Sequence, residues 1–143
     1  MTVAAILSQK GRQVVTMGPK QTLREVCETL ATHKIGAVVL TDVDGRIAGI
    51  LSERDIVRAL AAEGAGALDR SADGFMSSKV VTCSEKETTD QVLGRMTAGR
   101  FRHMPVVRDD RLIGLVSIGD VVARRIELAE REAAEMRAYI ATA

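Results

Sequence analysis

Aromatic side chains are nearly missing from this chain. Phe75, Phe101 and Tyr139 are the only ones, and there is no tryptophan. Its core must be assembled from Val, Ile, Leu, Ala and Met, and a platform that stacks successive unpaired bases has no material. Charge of one sign is missing as well. Twenty Lys and Arg against nineteen Asp and Glu leave a net charge of +1, which excludes the broad basic footprint of a nucleic-acid or anionic-membrane binder. No apolar run approaches the ~20 residues of a membrane span, and the N-terminus shows no basic stretch leading into a long apolar one. Cysteine is scarce: Cys27 and Cys83 stand alone, without metal-ligand spacing. They read as buried, reduced thiols of a cytoplasmic protein rather than as a disulfide. There is no nucleophile elbow, no zinc-type His/Cys cluster and no Gly-rich phosphate loop. His103 and Asp120 could be drawn as an acid–base pair, but nothing places a nucleophile or electrophile beside them. No enzyme activity, catalytic cofactor or metal site is therefore expected.

What the chain does have is repetition. Gly49-Ile50-Leu51-Ser52-Glu53-Arg54-Asp55-Ile56-Val57 returns 65 residues later as Gly114-Leu115-Val116-Ser117-Ile118-Gly119-Asp120-Val121-Val122, and Val14-Val15-Thr16 returns after 66 as Val80-Val81-Thr82. At 46% hydrophobic and 27% charged the chain is globular, and 143 residues suit two half-size units sharing a core. A duplicated unit that preserves a polar pair in each copy builds two related sites.

The pattern between these landmarks is the same in both copies. Val3, Ile6 and Leu7 predict a short leading helix. Val14–Thr16 is a strand, and Leu23, Val26, Cys27 and Leu30 form the apolar stripe of a helix capped near Thr22. Ile35–Leu40 and Ile47–Leu51 flank the turn chemistry of Asp42-Val43-Asp44-Gly45 and predict a hairpin. A helix from Ser52 to Ala62 then turns Ile56, Val57 and Leu60 inward. Residues 63–73, Gly-rich and weakly periodic, read as a linker. The second copy gives a strand at Val80–Thr82, a helix led by Thr88 with Val92, Leu93 and Met96 inward, strands Met104–Val107 and Leu112–Val116 around Asp109-Asp110, and a last helix begun by Asp120. Each copy is thus βαββα. Packing two copies about a pseudo-two-fold axis buries the faces that neither covers alone. The organisation is a first repeat with its leading helix over 1–65, a linker over 66–73, a second repeat over 74–125 and a C-terminal helical extension over 126–143.

That extension carries its own signal. Val122, Ile126, Ala129, Ala133, Met136 and Ile140 are spaced 4, 3, 4, 3 and 4 residues apart, a heptad-like seam flanked by charges. Two readings stand: self-association into a homodimer, or a helix lying back on its own domain.

Two readings also stand for Ser52…Asp55 and Ser117…Asp120. Each Ser closes a strand and each Asp opens a helix, so either pair is a capping box favoured by the helix dipole. The same carboxylate can grip a vicinal diol, with the Ser hydroxyl and free helix N–H groups beside it suited to phosphate. Occurrence in duplicate favours the second. Arg102 and His103 enter a strand side by side and point to opposite faces; His103 is either a hydrogen-bonded structural histidine or a phosphate contact. The first copy has Gly36-Ala37 at the matching positions, so the two sites differ. Arg54, beside Asp55, is either a substitute charge there or a solvated surface residue.

The doubled Gly-h-h-Ser-x-x-Asp-h-h pattern, with its Val-Val-Thr and Arg-His-Met-Pro-Val-Val segments, resembles the CBS domain, named for cystathionine β-synthase. Two copies over about residues 1–125 resemble a CBS pair, or Bateman module, of the small stand-alone bacterial type. The resemblance implies an α/β (α+β) fold of two βαββα repeats with a C-terminal helix. It also implies a regulatory module that binds an adenosine-containing nucleotide (AMP, ADP, ATP, NAD(H) or S-adenosylmethionine) in clefts between the repeats, and so biases an unknown protein partner. By that resemblance Ser52, Asp55, Ser117 and Asp120 hold ribose or phosphate, and Thr16 and Thr82 line adenine pockets. Ser117 and Asp120 work with Thr16 and the Gly36-Ala37-Val38 strand. Arg102 and His103 face phosphates, with Met104 and Pro105 next along their strand. The Ser117/Asp120 site is the stronger expectation, because the basic pair exists only in its copy.

Overall fold

The computed structural model describes residues 1–142. It opens on helix α1 (Val3–Lys10) and the two-residue strand β1 (Thr16–Met17). Thr22 then caps α2 (Leu23–His33): its hydroxyl accepts from the Glu25 amide at 3.1 Å while the Glu25 carboxylate accepts from the Thr22 amide, the reciprocal box of Thr-x-x-Glu. Leu23, Val26 and Leu30 are buried as their spacing predicts, and Cys27 is half-buried beside them. β2 (Ala37–Thr41) and β3 (Ile47–Ser52) form the predicted hairpin, with the Asp42 carboxylate accepting from the Asp44 and Arg46 amides at 2.9 and 3.0 Å. β1 runs parallel to β2, giving a sheet of order β1-β2-β3. α3 (Glu53–Glu63) completes the unit and corrects one expectation. Ile56 and Ala59 face the sheet, whereas Val57 is 65% and Leu60 37% exposed. Val57 lies about 100° round the helix from Ile56, on a stripe left exposed among the described residues.

The second half repeats the order with one loss. α4 (Thr89–Gly99) carries its own box, Thr88 with Gln91. β4 (His103–Arg108) and β5 (Arg111–Ser117) pair around Asp109-Asp110, whose φ angles of 52° and 61° are the left-handed pair of a type I′ hairpin turn. α5 (Ile118–Thr142) follows. The strand predicted at Val80–Thr82 does not form. Only Cys83 reaches the sheet, donating to the Pro105 carbonyl at 3.0 Å and accepting from the Val107 amide at 2.9 Å. Val80 and Val81 turn instead toward the other half of the molecule.

Two apolar cores result, and the chain crosses between them. Residues 63–73, read as linker, fall mostly into two 3₁₀ turns, Gly64–Asp69 and Ala72–Gly74, whose Ala67 and Ala72 are sealed in the first core with Leu23, Val26, Val38, Leu40 and Leu51. α1 precedes the first repeat in sequence but packs Val3, Ile6 and Leu7 into the second core, against Val92, Met96, Met104, Val106 and Val116. The backbone ties match: Thr22, which caps α2, bridges Ser71, and Thr88, which caps α4, bridges Thr2. This exchange explains the glycine that opens each copy of the repeated motif. A methyl group on Gly49 would overlap the Met76 thioether, and one on Gly114 would lie 2.7 Å from Leu7 Cδ2. Each strand is left bare so that a side chain from the exchanged segment can seat on it.

Candidate functional site

Ser52 is the last residue of β3 and Asp55 stands in the first turn of α3. The Asp55 Oδ2 accepts from the Ser52 amide at 2.8 Å and from its hydroxyl at 3.0 Å, so the capping reading is realised. It does not exhaust the carboxylate: among the described residues Oδ1 makes no intramolecular hydrogen bond. The Gly36 carbonyl accepts from the Glu53 amide at 3.0 Å and locks the start of α3 beside the start of β2. These groups form one wall of a cleft of about 460 Å³, a volume suited to a small ligand.

The facing wall comes from the second half. Ser77 exchanges two backbone hydrogen bonds with Ile50, at 2.9 and 3.0 Å, and leads Lys79, Val80 and Val81 along the cleft. At its far end α4 stops on Arg100 in the left-handed conformation, which swings Phe101, Arg102 and His103 into the opening. Ile50, Val80, Val81 and Phe101 supply apolar surface for a flat ring. Arg54, Arg58, Lys79, Arg100 and Arg102 supply positive charge against Glu53 and Asp55. His103 sits at the seam between the halves. A Cβ on Gly36 would stand 3.4 Å from its Cε1 and Nε2, so the ring packs directly against that glycine. Burial foremost, then the nearby Lys10 and Arg102 charges, hold its pKa below the ordinary value of 6.5 despite Glu53 and Asp120. The ring is uncharged at neutral pH.

The second copy of the motif is built alike and used differently. Asp120 Oδ2 accepts from the Ser117 amide at 2.8 Å, and the Ser117 hydroxyl accepts from the Asp120 amide at 3.1 Å. Here the last residue of α1 intervenes. Lys10 Nζ donates to Asp120 Oδ2 at 2.6 Å and to the Leu115 carbonyl at 2.8 Å. Burial works against the Asp120 charge, but the Lys10 and Ser117 hydrogen bonds outweigh it and hold the pKa below its ordinary value of 3.8.

The family model for the CBS domain matches residues 6–62 and again 72–127. The chain belongs to the CBS-domain family. Among CBS-domain relatives, the mitochondrial CBS domain-containing protein CBSX3 of Arabidopsis thaliana is 27% identical over 97% of this chain and 71% of its own length. CBS domain-containing protein YhcV of Bacillus subtilis (strain 168) is 26% identical over 80% of each. Among solved structures, the CBS-domain containing protein ATU1752 from Agrobacterium tumefaciens matches with a TM-score of 0.86 and 50% identity, over 87% of this chain and 99% of that one. The CBS domain pair of protein MJ0100, solved with 5′-methylthioadenosine and S-adenosyl-L-methionine, matches with a TM-score of 0.78 and 26% identity, over 89% of this chain and 96% of that one.

The cleft between the CBS repeats thus brings together Gly36, Ser52, Arg54, Asp55, Arg102 and His103 from the residues singled out in the sequence. It departs from the expected grouping in one respect. Arg102 and His103 line the cleft of the Ser52/Asp55 pair of the other repeat, with His103 at the boundary between the two pairs, since it is also the ladder partner of Ser117 and has the Asp120 charge near it. The rest lie elsewhere. Ala37, Val38, Met104 and Pro105 are buried within the sheets, Thr16 is exposed on β1, and the Thr82 carbonyl accepts from Arg95 at 3.0 Å. Arg58, Ser77, Lys79 and Arg100 were not singled out. Arg58 had a readable signal, one helical turn after Arg54. The other three lie in irregular segments whose direction only the packed repeats define.

Proposed function

We propose that this protein is a regulatory ligand sensor, without catalytic activity of its own, that holds an adenosine-containing nucleotide between its CBS repeats at Ser52 and Asp55. The observation that carries the reading is the free Oδ1 of Asp55 in a cleft that pairs apolar surface with unneutralised cations. The carboxylate suits a ribose diol, Ile50, Val80, Val81 and Phe101 suit the base, and the cationic wall suits phosphate. The adenosine-type ligands named for the MJ0100 CBS pair support it. Both walls belong to different repeats, so occupancy draws the repeats together and biases a homodimer and its protein partner, to the extent that ligand prefers one arrangement. The free thiols Cys27 and Cys83 suit a reducing cytoplasm. Among the described residues no helix is long and apolar enough to cross a membrane.

Thermal melts with AMP, ATP, NAD and S-adenosylmethionine test the reading. At one hundred times the dissociation constant a ligand stabilises the fold by about 2.7 kcal/mol, a shift of several degrees. Absence of a shift with every member of the panel would sink the proposal. It would leave a second reading, an interaction scaffold with vestigial clefts, which rests on α5: Ile126, Met136 and Ile140 are 54%, 61% and 66% exposed along one seam. If that seam joins two copies, Met136→Asp with Ile140→Asp yields a monomer in sedimentation at concentrations where the parent chain is a dimer.

A further inference from the structure

We propose that the Asp55 cleft of this chain selects a nucleotide carrying two or more phosphates over a monophosphate or a sulfonium nucleoside; this deepens, and rests on, the function proposed above. The argument starts from charges left unpaired. Of the fifteen Lys and Arg side chains outside the cleft, ten pair with carboxylates, among them Arg12 and Arg108, which share Glu85. None of the five that converge on the cleft, Arg54, Arg58, Lys79, Arg100 and Arg102, has an ion-pair partner among the described residues. They come from both repeats and concentrate positive potential in one concave place on a protein whose net charge is only +1.

Lys79 is the most telling of them. Leu7 seats on Gly114 and Met76 seats on Gly49, so these side chains are counterparts in the two exchanged segments. Lys10 stands three residues after Leu7 and Lys79 three residues after Met76. In one half this lysine closes on its aspartate at 2.6 Å. In the other it lines the cleft and leaves Asp55 unpaired. The fold therefore has a built means of neutralising this carboxylate and does not use it where the cleft is open. The carboxylate stays available for a diol and the lysine for an anion.

The arrangement also has length. Arg54 and Arg58 spread charge about 6 Å along α3, with Lys79, Arg100 and Arg102 on the facing wall. A monophosphate brings about two negative charges, which two of these cations suffice to meet. A phosphate chain is needed to engage both walls. A sulfonium adds positive charge to a site that already has an excess.

Calorimetric titration of the full chain with AMP, ADP, ATP, S-adenosylmethionine and inorganic tripolyphosphate, in chelator-containing buffer, tests this. Affinity should rise in the order AMP, ADP, ATP, with ATP about tenfold or more tighter than AMP and steeply weakened by salt. S-adenosylmethionine should bind weakest. Arg58→Gln with Lys79→Gln should shrink the ATP-to-AMP ratio to about twofold while the unliganded melting temperature holds. Arg46→Gln with Arg111→Gln, at the two hairpin turns, should leave the ratio intact. Equal binding of AMP and ATP, tightest binding of S-adenosylmethionine, or a ratio that survives in the Arg58/Lys79 variant overturns the phosphate selectivity while leaving the adenosine sensor standing. Binding of tripolyphosphate without any adenosine compound overturns the sensor reading and keeps the anion site. No binding by any of the five overturns both.

Discussion

A single carboxylate at the start of a helix has two uses in this fold, and its neighbours decide between them. Asp55 and Asp120 both hold the backbone of the Ser three residues before them, as a helix N-terminus favours. Only Asp120 is also an ion-pair partner, to Lys10. Because its pKa is held below the ordinary 3.8, its ionised form stabilises the folded state. That contribution is fully present above the unfolded-state value and is lost as pH falls through the folded-state value. Lys10→Met should therefore lower stability by about 1 kcal/mol at pH 7, a figure reduced for solvent screening of a lysine side chain that is 36% exposed. The deficit relative to the parent chain should narrow as the pH falls below 3.8 and Asp120 becomes protonated. Urea melts at pH 7 and pH 3 measure both; a deficit that is constant with pH would mean that Lys10 acts only by packing. The repeated Ser-x-x-Asp was legible in the sequence as a pair of caps that could also hold a ligand. Its asymmetry was not, because Lys10 lies 110 residues from Asp120 and meets it only through the exchange of α1.

That exchange is where the reading by elements gains and fails. Caps, hairpins and the order βαββα follow from local signals: Thr22 with Glu25, Asp42 and Gly45 at one turn, Asp109-Asp110 at the other. Residues 63–73 read as a linker because glycines hide their two buried alanines, whose burial has no periodicity to betray it. Val80–Thr82 reads as a strand because it is β-branched, yet only Cys83 pairs with the sheet. That thiol is buried and its pKa is pushed up to about 11, so it is inert at neutral pH. Sequence order likewise assigns α1 to the first repeat, while packing gives it to the second. Leu7→Ala tests this at the scale of the element. Removing a buried leucine costs about 2–5 kcal/mol, and the loosening should fall on the second core. Hydrogen exchange should accelerate at Val92, Met96, Val106 and Val116, which share a cluster with Leu7, more than at Val26, Val38 and Leu51, which belong to the other. Uniform acceleration would show that the two cores unfold as one unit.

Across the whole molecule the two repeats enclose unequal places. Backbone symmetry makes Asp55 and Asp120 equivalents, and a sequence comparison of the copies favours Asp120 because Arg102 and His103 belong to its repeat. In the packed molecule the cleft opens on the Asp55 side, lined by Arg102 and by His103, which is also the ladder partner of Ser117, and α1 delivers Lys10 to Asp120. Stability and binding should therefore separate between two isosteric substitutions. Asp55→Asn keeps an acceptor for the Ser52 amide and removes the charge offered to a ribose, so the unliganded melting temperature should hold while affinity for ATP falls about tenfold or more. Asp120→Asn breaks the ion pair to Lys10, so the unliganded protein should melt lower while affinity for ATP changes by no more than about twofold, as expected of a site outside the occupied cleft. Calorimetry on the two variants gives binding and melts without ligand give stability. Equal loss of affinity in both would mean that ligand uses both copies of the motif and that Lys10 is displaced on binding. Loss in Asp120→Asn alone would return the site to the second repeat. The crossed outcome, stability lost in one variant and binding in the other, is what two like carboxylates must give when the fold has already neutralised one of them.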